Sequence, residues 1–281
     1  MLPGFLLALR EGIEVALVLG ILLGALRKLQ RPDLSPSVWS GVVAAVLASG
    51  LVALGLQRAG ASLEGTPEAV FEGITMLLAA GMLTWMIFWM QRQGRHTQAE
   101  LESNVRRAVT TESTWALFGL AFVAVVREGI ETALFLTAAT FGTTPVQTLV
   151  GGALGLAGAI VLGWLMFAAG RRLNVSAFFR VTSVLLILFA AGLAAQGVHE
   201  SQEAALLPAL VEHVWNISPI LDEGHGFGAF LKALFGYNSS PSLLEAIAYG
   251  AYLLVVGIVS VRLYSRSTPK SANGSMRKSS S

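Results

Sequence analysis

Seven stretches of mainly apolar residues, near 2–26, 38–57, 68–90, 114–140, 147–169, 177–198 and 242–263, constrain this chain more than any other feature. About 20 such residues span the hydrocarbon core of a bilayer as a helix. A helix also satisfies its own backbone hydrogen bonds there, where no water can. Charged residues are 13% of the 281, against about 25% in soluble domains. The expectation is an all-α polytopic membrane protein, seated in a lipid bilayer. The net charge of +2, with basic residues scattered between apolar runs, argues against nucleic acid as a partner. The absence of cysteine excludes disulfides, thiolate metal sites and thiol catalysis. The opening "MLPGFLLALREGIE" lacks a basic leader and carries charges where a signal peptide's apolar core would run, so it reads as a retained first span.

Lysine and arginine set the orientation. Arg27, Lys28 and Arg31 follow the first span, and Arg92, Arg95, Arg106 and Arg107 follow the third. Arg171, Arg172 and Arg180 flank the junction of the fifth and sixth, and Arg262, Arg266, Lys270, Arg277 and Lys278 close the chain. The alternate loops hold only Arg58 and Lys232. The N-terminus is therefore expected outside and the C-terminus inside, with an external loop at about 199–241.

Into this apolar background the string REGIE is written twice, at 10–14 and at 127–131, continuing as "REGIEVALVLG" and "REGIETALFLT". A weaker echo, "AAGML" at 79–83 and "AAGLA" at 190–194, links the third and sixth spans. Spans one to three (about 1–91) thus read as a duplicate of spans four to six (about 114–198), with a seventh helix added at about 242–263. Three spans is an odd number, so the second copy enters the membrane from the opposite side. Such inverted repeats place a substrate site near the midplane where they meet. The whole of 1–264 reads as one transmembrane permease domain, and 265–281 as a disordered cytoplasmic tail.

Glu11 and Glu14 point about 60° apart around a helix, and Arg10 lies one turn before Glu14, within reach of it. The same holds for Arg127, Glu128 and Glu131. Gly12 and Gly129 leave a bare surface for a facing helix. An ionised side chain at mid-membrane costs roughly 2.5–3.5 kcal/mol, so six of them must face one another or a wet cavity. Four carboxylates and two guanidinium groups leave a formal charge of about −2, which suits a hard cation bound by oxygen. The candidate metal ligands are Glu11, Glu14, Glu128 and Glu131, with Arg10 and Arg127 as counter-ions that release a glutamate when metal arrives. The plain alternative is a pair of buried structural salt bridges. A voltage sensor is disfavoured because the charges nearly cancel.

At these residues the chain resembles the oxidase-dependent iron transporter family, whose hallmark is R-E-x-x-E in the first and fourth spans. That family includes the fungal high-affinity iron permeases and the bacterial Efe-type permease. Further similar stretches are "FEGITMLLAAGMLTWMIFWM" at 71–90, "RRLNVSAFF" at 171–179, "AAGLAAQGVHE" at 190–200 and "LFGY" at 234–237. The resemblance implies an iron permease of the inner or plasma membrane, with iron as substrate, no permanently bound cofactor, and the motif glutamates as ligands. It also implies periplasmic partners, a cupredoxin-like iron-binding protein and a haem peroxidase.

Glu72, His199 and Glu200 sit at the expected outer ends of spans and are candidates for an iron entrance or for a layer behind the ligands. Glu203, Glu212, His213, Asp222, Glu223 and His225 add to an acidic antechamber that would concentrate cations, or are solvated loop residues. Gly20, Gly24, Gly151, Gly155 and Gly158 read as helix-packing sites, and Trp39, Trp85, Trp89 and Trp115 as an inner aromatic belt. His96 falls in a basic loop with no assigned role. Two other functions compete: a permease for manganese or lead, which carboxylates separate poorly from iron, and an intramembrane di-iron oxidoreductase. The latter needs Glu-x-x-His pairs, and no histidine lies deep in any span.

Overall fold

Each apolar stretch becomes one helix. The computed structural model describes residues 1–93, 96–111, 113–168, 175–208, 211, 214–219, 221 and 226–267. Among the described residues there are seven long helices: α1 (Leu2–Lys28), α2 (Ser35–Ala61), α3 (Thr66–Gln93), α5 (Thr114–Phe141), α6 (Pro145–Ala168), α7 (Val175–Glu203) and α9 (Leu243–Ser267). Two short α-helices, α4 (His96–Thr110) and α8 (Gly226–Phe235), and one 3-10 turn at Pro32–Leu34 accompany them, and the described residues include no strand. Local chemistry sets the ends. Prolines open α1 and α2 at their first turns, where the missing N–H has no intrahelical partner to lose. The Ser113 hydroxyl accepts from the Ala116 N–H at 3.2 Å to cap α5. Ser242 and Glu245 form a capping box at α9: the Glu245 N–H donates to Ser242 Oγ at 3.2 Å and the Ser242 N–H to Glu245 Oε2 at 3.4 Å.

Five segments are long and apolar enough to cross a membrane: Pro32–Ala61, Thr66–Met90, Pro145–Met166, Ala177–Glu203 and Leu243–Ser260. Helices α1 and α5 match them in length, at 27 and 28 residues, but each carries three charged residues near its middle. The outward faces are apolar, as lipid contact requires. Leu47 and Leu51 on α2 and Ile160 and Trp164 on α6 are all exposed.

The pairing of helices crosses the two halves of the chain. Helix α1 lies chiefly against α6, and α5 chiefly against α2, while α3 packs on α7 and α7 on α9. Glycine permits the first two approaches. A Cβ on Gly12 would strike Ala159, and one on Gly129 would strike the Ser49 side chain. The bare faces of the two motifs therefore meet α6 and α2, while the carboxylates turn toward one another. Gly151, Gly155 and Gly158 press α6 onto Met1, Phe5, Ala8 and Leu9, as expected of packing glycines. Gly24 has nothing within 4 Å of its added Cβ, so the packing role expected of it is not realised.

Both short helices fall where charge and polarity suggested only loop. In α4, Val105 and Ala108 are buried with Leu22, Leu26 and Leu117 in one apolar cluster. The helical spacing of Leu101, Val105 and Ala108 was a readable signal, masked by the charges around it. Helix α8 folds back against α7 and α1 instead of trailing outside them. It ends at Gly236, whose φ of +64° needs no Cβ, and which meets the backbone of Gly192. That contact lies about 16 Å of helix back from Glu203, the end of α7. A crevice beside it is lined by Ala139, Gly142, Gln196 and Lys232. An alanine at Gly192 would place its Cβ 2.7 Å from Gly236 N and 2.9 Å from Phe235 C. Gly192→Ala is expected to lower stability by about 1–3 kcal/mol and to expose the 226–236 segment to protease, read by limited proteolysis in detergent.

Helix α9 runs to Ser267, past the expected start of the tail, and residues 268–281 lie outside the described residues. So do Glu212, His213, Asp222, Glu223 and His225 of the expected antechamber.

Candidate functional site

The two motifs converge. Helices α1 and α5 touch near their middles, and one carboxylate oxygen each from Glu11, Glu128 and Glu131 lies within 4.8 Å of the others. All three residues are buried. Each also keeps one carboxylate oxygen with no hydrogen-bond partner: Oε2 of Glu11, of Glu128 and of Glu131. Unmatched buried oxygens are costly unless something completes them. Carboxylate ligands sit about 2.0–2.2 Å from a first-row ion such as zinc, so ligands of one ion lie at most about 4.4 Å apart. A small inward shift would bring these three to that distance. Glu14 is turned differently. Its Oε1, which likewise accepts no hydrogen bond, is ion-paired with Arg10 Nη2 at 3.0 Å, though it still feels the charges of Glu128 and Glu131.

The arginines are not equivalent. Arg10 is 0% exposed; its Nη1 donates to Glu11 Oε1 at 2.8 Å and to Met86 Sδ at 2.8 Å, and its Nη2 to Met90 Sδ at 2.7 Å. The Arg127 side chain is 36% exposed. Its Nε donates to Glu131 Oε1 at 2.9 Å and lies 3.8 Å from Glu128 Oε1, and its Cζ stands 5.0 Å from the Trp89 ring centre and 5.7 Å from that of Trp85. Trp85 and Trp89, expected in an interfacial belt, thus also serve as a platform for an arginine. Nothing in the sequence marked Met86 or Met90, which look like ordinary members of an apolar run.

Apolar layers close the centre on both sides along the helices. Leu7, Phe135, Ala138 and Ala139 belong to one buried cluster, with Leu83, Leu186 and Phe189. Leu22, Leu26, Leu117 and Ala121 belong to another. Along α1 and α5 the carboxylates lie between these two sets.

A second acidic group forms where α3 begins and α7 ends. Glu72 lies within electrostatic reach of Glu200, Glu68 and Glu203. A Cβ on Gly73 would be 3.3 Å from Glu200 Cβ, so the two helices nearly touch. His199 places Nε2 3.3 Å from Glu203 Oε1 and Nδ1 3.6 Å from Glu245 Oε2. Glu245 is a buried carboxylate that the sequence reading passed over; the Ser-x-x-Glu spacing of its capping box could have flagged it.

An all-helical fold with five membrane-length apolar segments, and a buried carboxylate cluster between two further long helices that could hold a metal ion, is the architecture of an integral membrane protein. A family model described as the iron permease FTR1 family matches residues 1–267. The chain belongs to that family, a family of permeases and not of enzymes, so the oxidoreductase alternative falls. Among relatives, the ferrous iron permease EfeU of Escherichia coli O6:K15:H31 is 36% identical over 253 residues, covering 89% of this chain and 91% of the relative. EfeU of Yersinia pestis is 32% identical over 276 residues, covering 98% of each chain. A relative in Escherichia coli K12, also 36% identical, carries the word inactive in its name. No solved structure matches the chain.

Proposed function

We propose that this chain imports ferrous iron through the centre formed by Glu11, Glu14, Glu128 and Glu131. The observation that carries the reading is the convergence of Glu11, Glu128 and Glu131, each with an unpartnered oxygen, between two arginine counter-ions. Four carboxylates and two guanidinium groups leave a formal −2, which a divalent ion cancels. Relatives named as ferrous iron permeases support the choice of ion.

The proposed topology has seven spans, α1, α2, α3, α5, α6, α7 and α9, with the N-terminus outside, the C-terminus inside and residues 1–264 as a single permease domain of the inner or plasma membrane. Crossed packing supports an inverted repeat. Gly12 meets Ala159 while Gly129 meets Ser49, so each motif glycine rests on the second long helix of the other half. The acidic group of Glu68, Glu72, Glu200 and Glu203 is the proposed entrance, where it raises the local cation concentration. Transport then requires the two apolar layers to open in turn, aided inward by the membrane potential at about 2.3 kcal/mol per charge per 100 mV. The periplasmic partners implied by the resemblance would deliver iron to the entrance.

Radiolabelled ferrous iron should accumulate in proteoliposomes holding the wild-type protein, with an inside-negative potential accelerating it. Glu128→Ala should lower the rate about 100-fold. Uptake that survives this change would remove the centre from the path, and uptake blocked equally by manganese or lead would move the cargo to the broader cation class.

A further inference from the structure

We propose that Trp85, Met86, Trp89 and Met90 on α3 form a cradle for both motif arginines, and that these four positioning residues set how tightly the carboxylate centre binds metal. The inference rests on the permease reading above.

The four residues occupy two adjacent strips of one helix, each an i,i+4 pair. One strip is thioether and takes Arg10. Nη1 of that guanidinium bridges Glu11 Oε1 and Met86 Sδ, both at 2.8 Å, and Nη2 bridges Glu14 Oε1 at 3.0 Å and Met90 Sδ at 2.7 Å. The other strip is indole and takes Arg127, whose Cζ lies over both rings while Nε keeps to Glu131. The two rings stack with centres 6.3 Å apart. Each arginine is therefore held between the carboxylates of its own helix and uncharged groups on α3, to which Arg10 adds the Phe179 ring of α7, 5.8 Å from its Cζ. The motifs come from different halves of the chain, yet one helix serves both.

The chemistry of these partners is what the site needs. A carboxylate on α3 would draw the arginines off more strongly but would add charge. Plain aliphatic carbon on α3 would leave Arg127 no partners except the motif glutamates, and Arg10 only the Phe179 ring besides, so metal would have to displace them almost outright. Thioether sulfur is a weak acceptor, and an indole face attracts a cation without bearing charge. Both hold an arginine as its glutamates turn to metal, and leave the charge of the centre unchanged. Binding stays tight enough to capture an ion and loose enough to release it.

The test is the concentration dependence of ferrous iron uptake in proteoliposomes. Met86→Leu combined with Met90→Leu keeps volume and apolarity and removes the acceptors. KM is expected to rise about ten-fold, with the maximal rate within about two-fold. Trp89→Leu should raise KM by a similar factor, while Trp89→Phe, which keeps a π face, should restore most of it. Should the double variant fail to assemble, Met90→Leu alone, at a half-buried position, should raise KM about three-fold. A filling role alone would lower the maximal rate or the yield and leave KM in place. Unchanged KM in both Met90→Leu and Trp89→Leu overturns the cradle. If the wild-type protein takes up no iron, it is the permease reading that fails.

Discussion

Glu11→Ala is expected to stop iron uptake and to destabilise the protein by about 3 kcal/mol, whereas Glu131→Ala stops uptake at a stability cost of about 1 kcal/mol or less. The two glutamates hold different places in the repeated motif, Glu11 the first and Glu131 the second, but each is the carboxylate nearest its own arginine, at 2.8 and 2.9 Å. Their partners differ in burial. Arg10 is 0% exposed, and without Glu11 its charge is left with Glu14 at 3.0 Å, two sulfurs and the Phe179 ring at 5.8 Å, with no solvent contact. Removing one partner of a fully buried pair strands the other in low dielectric, which is where losses of 3–5 kcal/mol arise. Arg127 is 36% exposed and rests on two indoles, so its charge is partly solvated before Glu131 is removed. Both variants delete a proposed ligand and should lose about 100-fold or more in uptake. Uptake in proteoliposomes and chemical unfolding in detergent read the two effects separately. Equal destabilisation by both would show that the asymmetry between the arginines has no energetic content.

Gly155→Ala should cost at least about ten-fold in uptake and about 1–3 kcal/mol in stability, although it touches neither motif. Its Cβ would strike the Phe5 carbonyl and lie 2.9 Å from Leu9 N and 3.1 Å from Ala8 Cβ, all on α1. Side chains yield by changing rotamer; backbone atoms of a packed helix move only with the helix. Helix α1 must then shift away from α6, carrying Glu11 with it, and displacements near 1 Å at a preorganised site cost up to about 100-fold. Gly24→Ala is the control. Its Cβ meets nothing within 4 Å, so the change is expected to stabilise α1 by up to about 1 kcal/mol and leave uptake unaltered. A loss of uptake in both variants would point to helix flexibility in place of close packing.

The relation between the long helices and the apolar runs shows what local sequence decides. Hydrocarbon-length apolarity and self-satisfied backbone hydrogen bonding are properties of a segment by itself, so all seven long helices were legible, with ends displaced by five residues or fewer. The motif carboxylates were legible too, because a charge amid apolar residues is expensive wherever the segment ends up, and its placement demands a partner. By contrast, α4 and α8 depend on apolar partners supplied from elsewhere. Val105 needs Leu22 and Leu26, and Gly236 needs the bare backbone of Gly192.

The sequence by itself determined that two arginines and four glutamates lie inside long apolar helices, and that the two motifs have the same internal chemistry. Only the tertiary structure decided that Glu11, Glu128 and Glu131 converge while Glu14 stays with Arg10, and that the arginines are anchored by sulfur in one case and by indole in the other. The reason is that identical pentapeptides present identical groups, but burial and partners come from the helix opposite. Here α3 offers Met86 and Met90 to one arginine and Trp85 and Trp89 to the other, a difference that no property of the repeated string contains.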